Sequence, residues 1–131
     1  MPRGVESDSM HELSIVTSVV ESVTESLANY PGARILKVRL RVGALASVVE
    51  DSLQFCYGIA IEGTPLAGSK LVVNTVPVTV HCESCGQDGA LASLQHFHCP
   101  HCDAPAMDVR SGRELEIESV EIEEAPEVVN P

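Results

Sequence analysis

The sequence predicts an α+β fold: two helices packed on a small three-stranded sheet, mixed or antiparallel, with a zinc-ribbon-like domain inserted. Three observations carry this. Apolar residues recur at three- and four-residue steps in the segments 13–27 and 49–61. Residues 35–42 alternate between apolar and basic side chains. Two Cys-x-x-Cys pairs stand between the strand-like segments 70–80 and 113–122.

Residues 1–9 read as an unstructured leader of Pro, Gly, Ser and charges without periodicity. The first helix is expected to follow. Leu13, Val16, Val20, Val23 and Leu27 form its apolar face, flanked by Val19 and Tyr30, and Pro31-Gly32 stops it. In the first strand Leu36, Val38, Leu40 and Val42 point one way, and Lys37, Arg39 and Arg41 the other. The second helix places Val49, Leu53, Cys56 and Ala60 on its apolar side and ends at Glu62-Gly63-Thr64-Pro65. Lys70–Val80 reads as a strand interrupted at Pro77, which calls for an edge position or a bend between two pieces. In the last strand the apolar face slips phase near Ser119, predicting a β-bulge or the strand's end there. The basic face of the first strand is expected beside Glu114, Glu116 and Glu118 of the last. The resulting organisation is a leader (1–9), an α/β domain (10–76 and 112–123), an inserted zinc domain (77–111) and an acidic tail (124–131).

The chain has 131 residues, 44% hydrophobic but only 3% aromatic and without Trp, so its core must be aliphatic. Such small cores often rely on a metal or disulfide staple. The net charge of −11 speaks against a nucleic-acid partner, whose phosphates need clustered Lys and Arg, and against an anionic membrane. Residues 1–9 contain no apolar signal-peptide core, and no segment reaches the ~18 apolar residues of a membrane span. A cytoplasmic location is expected, where thiols stay reduced and paired cysteines read first as metal ligands.

Cys82-x2-Cys85 and Cys99-x2-Cys102 are separated by thirteen residues. A two-residue gap lets both thiolates of a knuckle reach one metal. Two knuckles complete a tetrahedron suited to zinc, and a similar arrangement can hold iron. Gly86 supplies a tight turn after the first knuckle, and Pro100 stiffens the second. With all four positions filled by protein, the site is structural. Cys56, alone on an apolar helix face, reads as a buried small hydrophobe.

Four of the five histidines, His81, His96, His98 and His101, cluster beside these cysteines. They read either as thiolate partners or a second weak metal site, or as solvated loop residues, the latter favoured for His96. His11 stands in Met10-His11-Glu12-Leu13-Ser14. One reading is an ordinary polar residue at a helix start, where Glu12 suits the dipole. The other takes Met10 as the first residue, so that an amine, an amide and an imidazole lie within two residues. Such nitrogen donors suit Ni²⁺ or Cu²⁺ in tetragonal geometry.

Taken together, Met10-His11-Glu12-Leu13-Ser14-Ile15, Val42-Gly43, Ser52-Leu53-Gln54-Phe55, Gly63-Thr64, the paired knuckles and Gly112-Arg113-Glu114-Leu115-Glu116-Ile117 resemble the HypA/HybF family of nickel metallochaperones. The resemblance runs from Met10 to about Glu123. It implies that the α/β domain (10–76 and 112–123) binds nickel and carries the zinc domain (77–111) as an insertion. It also implies delivery of Ni²⁺ to the [NiFe]-hydrogenase large subunit with a GTPase partner, or to urease with its accessory proteins. The nickel ligands it implies are His11 and the backbone of Met10 and Glu12, with Glu50 or Asp51 nearest to an accessory carboxylate. The family opens at the Met of Met-His-Glu, whereas nine residues precede it here. Either Met10 is the working start, or the leader is removed or foreign, or the site is altered. No nucleophile triad or phosphate-binding loop is present, so a carrier is expected rather than an enzyme. The competing class is a zinc-ribbon adaptor or nucleic-acid-binding module without nickel delivery.

Overall fold

The computed structural model describes the backbone of residues 3–124 and the side chains of residues 11–124. Helix α1 spans Arg3–Ser26 and continues as a short 3₁₀ turn, Leu27–Asn29. Strand β1 is Arg34–Gly43, helix α2 is Glu50–Ala60, and strand β2 is Lys70–Val76. Three short strands follow, β3 (Thr79–His81), β4 (Asp88–Ala90) and β5 (Asp108–Ser111), and then β6 (Leu115–Glu123). The strands form two three-stranded sheets, ordered β2-β1-β6 and β4-β3-β5. The described residues divide into two units. One takes those up to Leu40, Val48–Val72 and those from Ile117, and the other takes Arg41–Ser47 and Val73–Glu116.

Three details of the helices depart from the sequence reading. First, residues 3–9 are helical, whereas an unstructured leader was expected. No proline lies between Arg3 and Ser26 to interrupt the helix. The expected tail beyond Glu124 lies outside the described residues. Second, the buried stripe of α1 is Glu12, Val16, Val19 and Val23, while Leu13 is 46% exposed. The wide apolar surface of α1 left two stripes possible, and packing on α2 selects the one containing the carboxylate. Third, the inner stripe of α2 is Leu53, Tyr57 and Ile61 instead of one through Cys56, with Val49 largely exposed. The Tyr57 hydroxyl is accommodated by a 2.6 Å hydrogen bond with the Ser69 hydroxyl. Burial raises its pKa, against the opposing effect of that bond.

In the first unit, Val16, Val19, Val23, Ile35, Val38, Leu40, Leu53, Tyr57, Ile61, Leu66 and Leu71 are buried, an almost wholly aliphatic core. The alternation of β1 holds at Val38 and Leu40, but Ile35 is buried in place of Leu36. Arg39 pairs with Glu121 at 3.6 Å and Arg34 with Glu123 at 3.4 Å. The basic and acidic strands are therefore neighbours as expected, with Arg41 adding to the backbone hydrogen bonds that lower the pKa of Glu114, but Arg34 and Arg39 pair with later glutamates than Glu114, Glu116 and Glu118. Strand β6 stays continuous through Ser119. Its half-buried Ile117 and Val120 are three residues apart, so the phase slip occurs without ending the strand.

In the second unit, Pro77 divides the long strand into β2 and β3, which belong to different sheets. Both sequence readings of that proline hold, since β2 is an edge strand and the break is a bend. Strand β3 pairs antiparallel with β4 and with β5. Here Gly43 and Gly112 pass backbone to backbone. A Cβ on Gly43 would stand 2.1 Å from the Gly112 carbonyl, and Gly112 has φ +117°. The Gly43 N–H donates to the Glu114 carbonyl and the Leu45 N–H to the Gly112 carbonyl, each at 2.7 Å. With Arg34 beside Glu123 at the other end, β1 and β6 run in opposite directions.

Candidate metal centre

The two cysteine knuckles have the same backbone. In the first, the Gly86 N–H donates to the Cys82 carbonyl at 2.7 Å, and the Cys82 N–H donates to Gln87 at 2.9 Å. In the second, the Asp103 N–H donates to the Cys99 carbonyl at 2.8 Å, and the Cys99 N–H donates to Ala104 at 2.7 Å. The residue after each knuckle is left-handed, Gly86 at φ +73° and Asp103 at φ +65°. The sequence displayed the glycine. Asp103 occupies the equivalent position without that signal, and Asp tolerates this conformation better than most residues. Strand β4 crosses close to the second knuckle: a Cβ on Gly89 would lie 2.4 Å from the Pro100 ring.

The matched knuckles bring the four sulfurs of Cys82, Cys85, Cys99 and Cys102 within 4.8 Å of one another. The pairs Cys82–Cys102 and Cys85–Cys99 are each 3.6 Å apart. This is too long for a disulfide, whose S–S bond is about 2.05 Å. A zinc–sulfur bond of about 2.3 Å gives a tetrahedron with edges of about 3.8 Å, so the donors and their spacing fit zinc. The protein tunes these thiols unequally. Burial resists ionisation of Cys99, but the backbone N–H groups of Cys102 and His101 outweigh it and hold that thiol at about 6. The Gln87 N–H favours a Cys85 thiolate, yet burial and the neighbouring thiols push Cys85 up to about 12. Four thiolates this close repel one another, and a divalent cation at their centre relieves that repulsion. Val78, Val80 and Ala106 pack with Cys82 and Cys99 in the small core beneath the site.

Three of the surrounding histidines have other polar partners, whereas His98 Nδ1 is buried without a hydrogen-bond partner. His81 Nδ1 lies 2.6 Å from the Asp88 carboxylate, and His101 Nε2 lies 3.2 Å from the Asp88 carbonyl. His96 Nε2 is 3.7 Å from Asp103 Oδ1, and its ring stacks on His98 at 3.9 Å. The His101 residue touches a sulfur through its backbone N–H, 3.3 Å from Cys99 Sγ.

The amino-terminal candidates are arranged differently. His11 is exposed on α1. Glu12 is only 1% exposed, and its Oε2 accepts the Val49 N–H at 3.0 Å. Val49 is the N-cap of α2, so Glu12 supplies from another helix the bond that a capping-box Glu makes within its own. Its Oε1 is buried without a hydrogen-bond partner. Glu50 and Asp51 lie in the adjoining first turn of α2, both exposed. The segment His11–Glu12 is thereby held at the head of α2. The side chains of His11, Glu50 and Asp51 do not join a compact ligand group, the cysteines being the one such group among the described residues. The sequence reading assigned Glu12 only its backbone. Extending the stripe Val23, Val19, Val16 back four residues would have marked its side chain as buried.

Comparison with known proteins gives the family. The family model described as "Hydrogenase/urease nickel incorporation, metallochaperone, hypA" matches residues 10–122. The chain belongs to the HypA family. A hydrogenase maturation factor HypA of Chloroflexus aurantiacus is 46% identical over 112 residues, covering 86% of this chain and 98% of the relative. A HypA of Streptomyces avermitilis is 40% identical, covering 88% of each chain. The solution structure of the nickel metallochaperone HypA from Helicobacter pylori aligns with a TM-score of 0.56 at 19% identity, over 85% of this chain and 96% of that one, a likeness of fold. As a HypA protein, the chain is a hydrogenase maturation factor of the nickel metallochaperone family with a four-cysteine site suited to structural zinc, and it is not a catalytic enzyme. Hydrogenase maturation with partner proteins is the family's work. Among the described residues no helix is long and apolar enough to cross a membrane.

Proposed function

We propose that this chain binds Ni²⁺ at Met10, His11 and Glu12 and delivers it in the cytoplasm to the [NiFe]-hydrogenase large subunit, together with a GTPase. Urease accessory proteins are a second route that the family description allows. Zinc on Cys82, Cys85, Cys99 and Cys102 holds the inserted module and takes no part in transfer.

The observation that carries this reading is the anchoring of Glu12. Its buried carboxylate fastens the segment to the head of α2, while His11 remains exposed beside it. In a chain starting at Met10, the amides of His11 and Glu12 belong to the first turn of α1. The first four N–H groups of a helix have no carbonyl partner within it. Those nitrogens, the terminal amine and the His11 imidazole can then surround a nickel ion in a plane. Glu50 and Asp51 supply the negative charge that offsets a cation at the positive end of the helix dipole. When α1 runs on from Arg3, the same amides are hydrogen-bonded inside the helix and the amine is a peptide nitrogen.

Nickel titration of residues 1–131 against residues 10–131, each with and without His11→Ala, tests the proposal. The shorter chain should bind one Ni²⁺ more tightly, and His11→Ala should abolish that site. Equal affinity at both lengths would remove the free amine. Undiminished binding in both His11→Ala chains would move nickel elsewhere and defeat the proposal. The acidic charge opposes the nucleic-acid reading, and a filter-binding assay with salt titration should show no retention.

A further inference from the structure

Helix α2 buries Leu53 and Tyr57 on one side and presents an apolar pair on the other. Phe55 is 70% exposed and Ile59 is 56% exposed, four residues apart and so neighbours on one helix face. Phe55 is one of only two phenylalanines in the chain. Scattered surface hydrophobes are ordinary, but this pair shares its face with a second anomaly.

Gly58 lies between them in the helix interior. Glycine is among the least favourable residues there. Two internal reasons could justify it, a left-handed backbone or a close neighbour, and neither applies. Its φ lies outside the left-handed region, and a Cβ built on it would meet nothing within 4 Å. The missing side chain opens space only toward solvent. Beside an exposed Phe and Ile, it lets another surface approach the helix backbone closely.

The charges around the pair restrict what that surface can be. Glu50 and Asp51 are exposed in the first turn of α2, and Glu62 is exposed just beyond its last residue. Both ends of the face are acidic. A second copy docking here would set carboxylates against carboxylates in either helix orientation, which is unfavourable. We propose that the Phe55–Gly58–Ile59 face of α2 docks into an apolar groove edged by Lys or Arg on a partner protein. Phe55 and Ile59 fill the groove, Gly58 admits its wall, and the end carboxylates meet its basic rim. This inference goes beyond the nickel reading and does not depend on it.

The test begins with the full-length zinc-loaded chain carrying a benzophenone amino acid at position 55, irradiated in the native host. A control carries it at position 94, where Leu94 is also exposed. Position 55 should give a distinct adduct with one protein, and peptide mapping should place the cross-link in an apolar groove bordered by Lys or Arg. That protein is then purified and titrated against variants. Phe55→Ala should weaken binding by about tenfold or more. Glu62→Lys should weaken it and flatten its salt dependence. Gly58→Ala gives the diagnostic pair of effects: the chain's thermal midpoint rises while affinity falls. A purely structural role for this face would move stability and affinity together. The proposal is overturned by adducts no different from those at position 94, by a cross-link to a second copy, by a groove without basic residues, or by Gly58→Ala binding as tightly as wild type. Nickel titration of the same variants should match wild type, so failure of the nickel site and failure of the docking face are read separately.

Discussion

The two units of this molecule are held together by different means. In one, two helices and three strand segments bury a run of Val, Leu and Ile with Tyr57 and Glu12. Order there comes from apolar area removed from water, spread over many residues. In the other, strands of three or four residues and two turns converge on four sulfurs. Its buried core comprises Val78, Val80, Cys82, Cys99 and Ala106, two of them candidate metal ligands. So small a core carries little hydrophobic stabilisation of its own, and its order is concentrated at one point. The first unit should tolerate the loss of any one contact better than the second tolerates the loss of one ligand.

The sharpest way to break this contrast is at the metal. Structural zinc contributes about 10–16 kcal/mol of apparent binding free energy in small zinc-dependent modules. Cys82→Ala should release zinc and abolish amide protection between Val78 and Ser111, leaving protection at Val16–Val23 intact. Retention of one zinc per chain in every single Cys→Ala variant would show the site assignment to be wrong. Next in size is Leu53→Ala. Leu53 is fully buried, and such a truncation costs about 2–5 kcal/mol. Chemical denaturation should register that loss while zinc content stays at one.

Glu12 tests where the first unit departs from purely apolar order. Glu12→Ala leaves the Val49 N–H without its partner, at a cost of about 1–3 kcal/mol. Glu12→Gln keeps an acceptor and should recover much of it. If both variants unfold at the same denaturant concentration as wild type, the bond does not stabilise the fold. The smallest expected effects compare the two knuckle turns. Asp103→Gly should stabilise by a few tenths to about 1 kcal/mol by relieving the left-handed backbone. Gly86→Ala should destabilise by about the same amount or more, for the same reason. Thermal melts of the zinc-loaded variants measure both. Opposite signs would confirm that the two knuckles share one geometry.

Features set by local spacing were legible in the sequence. The cysteine gaps marked the four sulfurs that the fold brings together, because two intervening residues leave the thiols of a knuckle little choice of direction. Pro77 marked the break between β2 and β3, because it has no amide N–H to continue a ladder. The motif from Met10 onward and the glycines at 43 and 112 carried the family resemblance. Their physical basis, backbones 2.1 Å from where a Cβ would stand, appeared only when residues 69 positions apart met.

Tertiary packing decided which of several permitted faces was used. The surface of α1 allowed a stripe through Leu13 or one through Glu12. Packing against α2, where Val49 offered an N–H, selected the second and turned a carboxylate inward. On α2, Cys56 and Tyr57 were both available to the core, and the Ser69 hydroxyl made the burial of Tyr57 affordable. The charges of β1 and β6 announced that the strands would pair. The choice of Glu121 and Glu123 rested on strand register, which single-strand alternation does not encode. Spacing along one segment specifies geometry within that segment. A choice between its faces, or between partners far along the chain, depends on groups that only the folded molecule brings within hydrogen-bonding or packing distance.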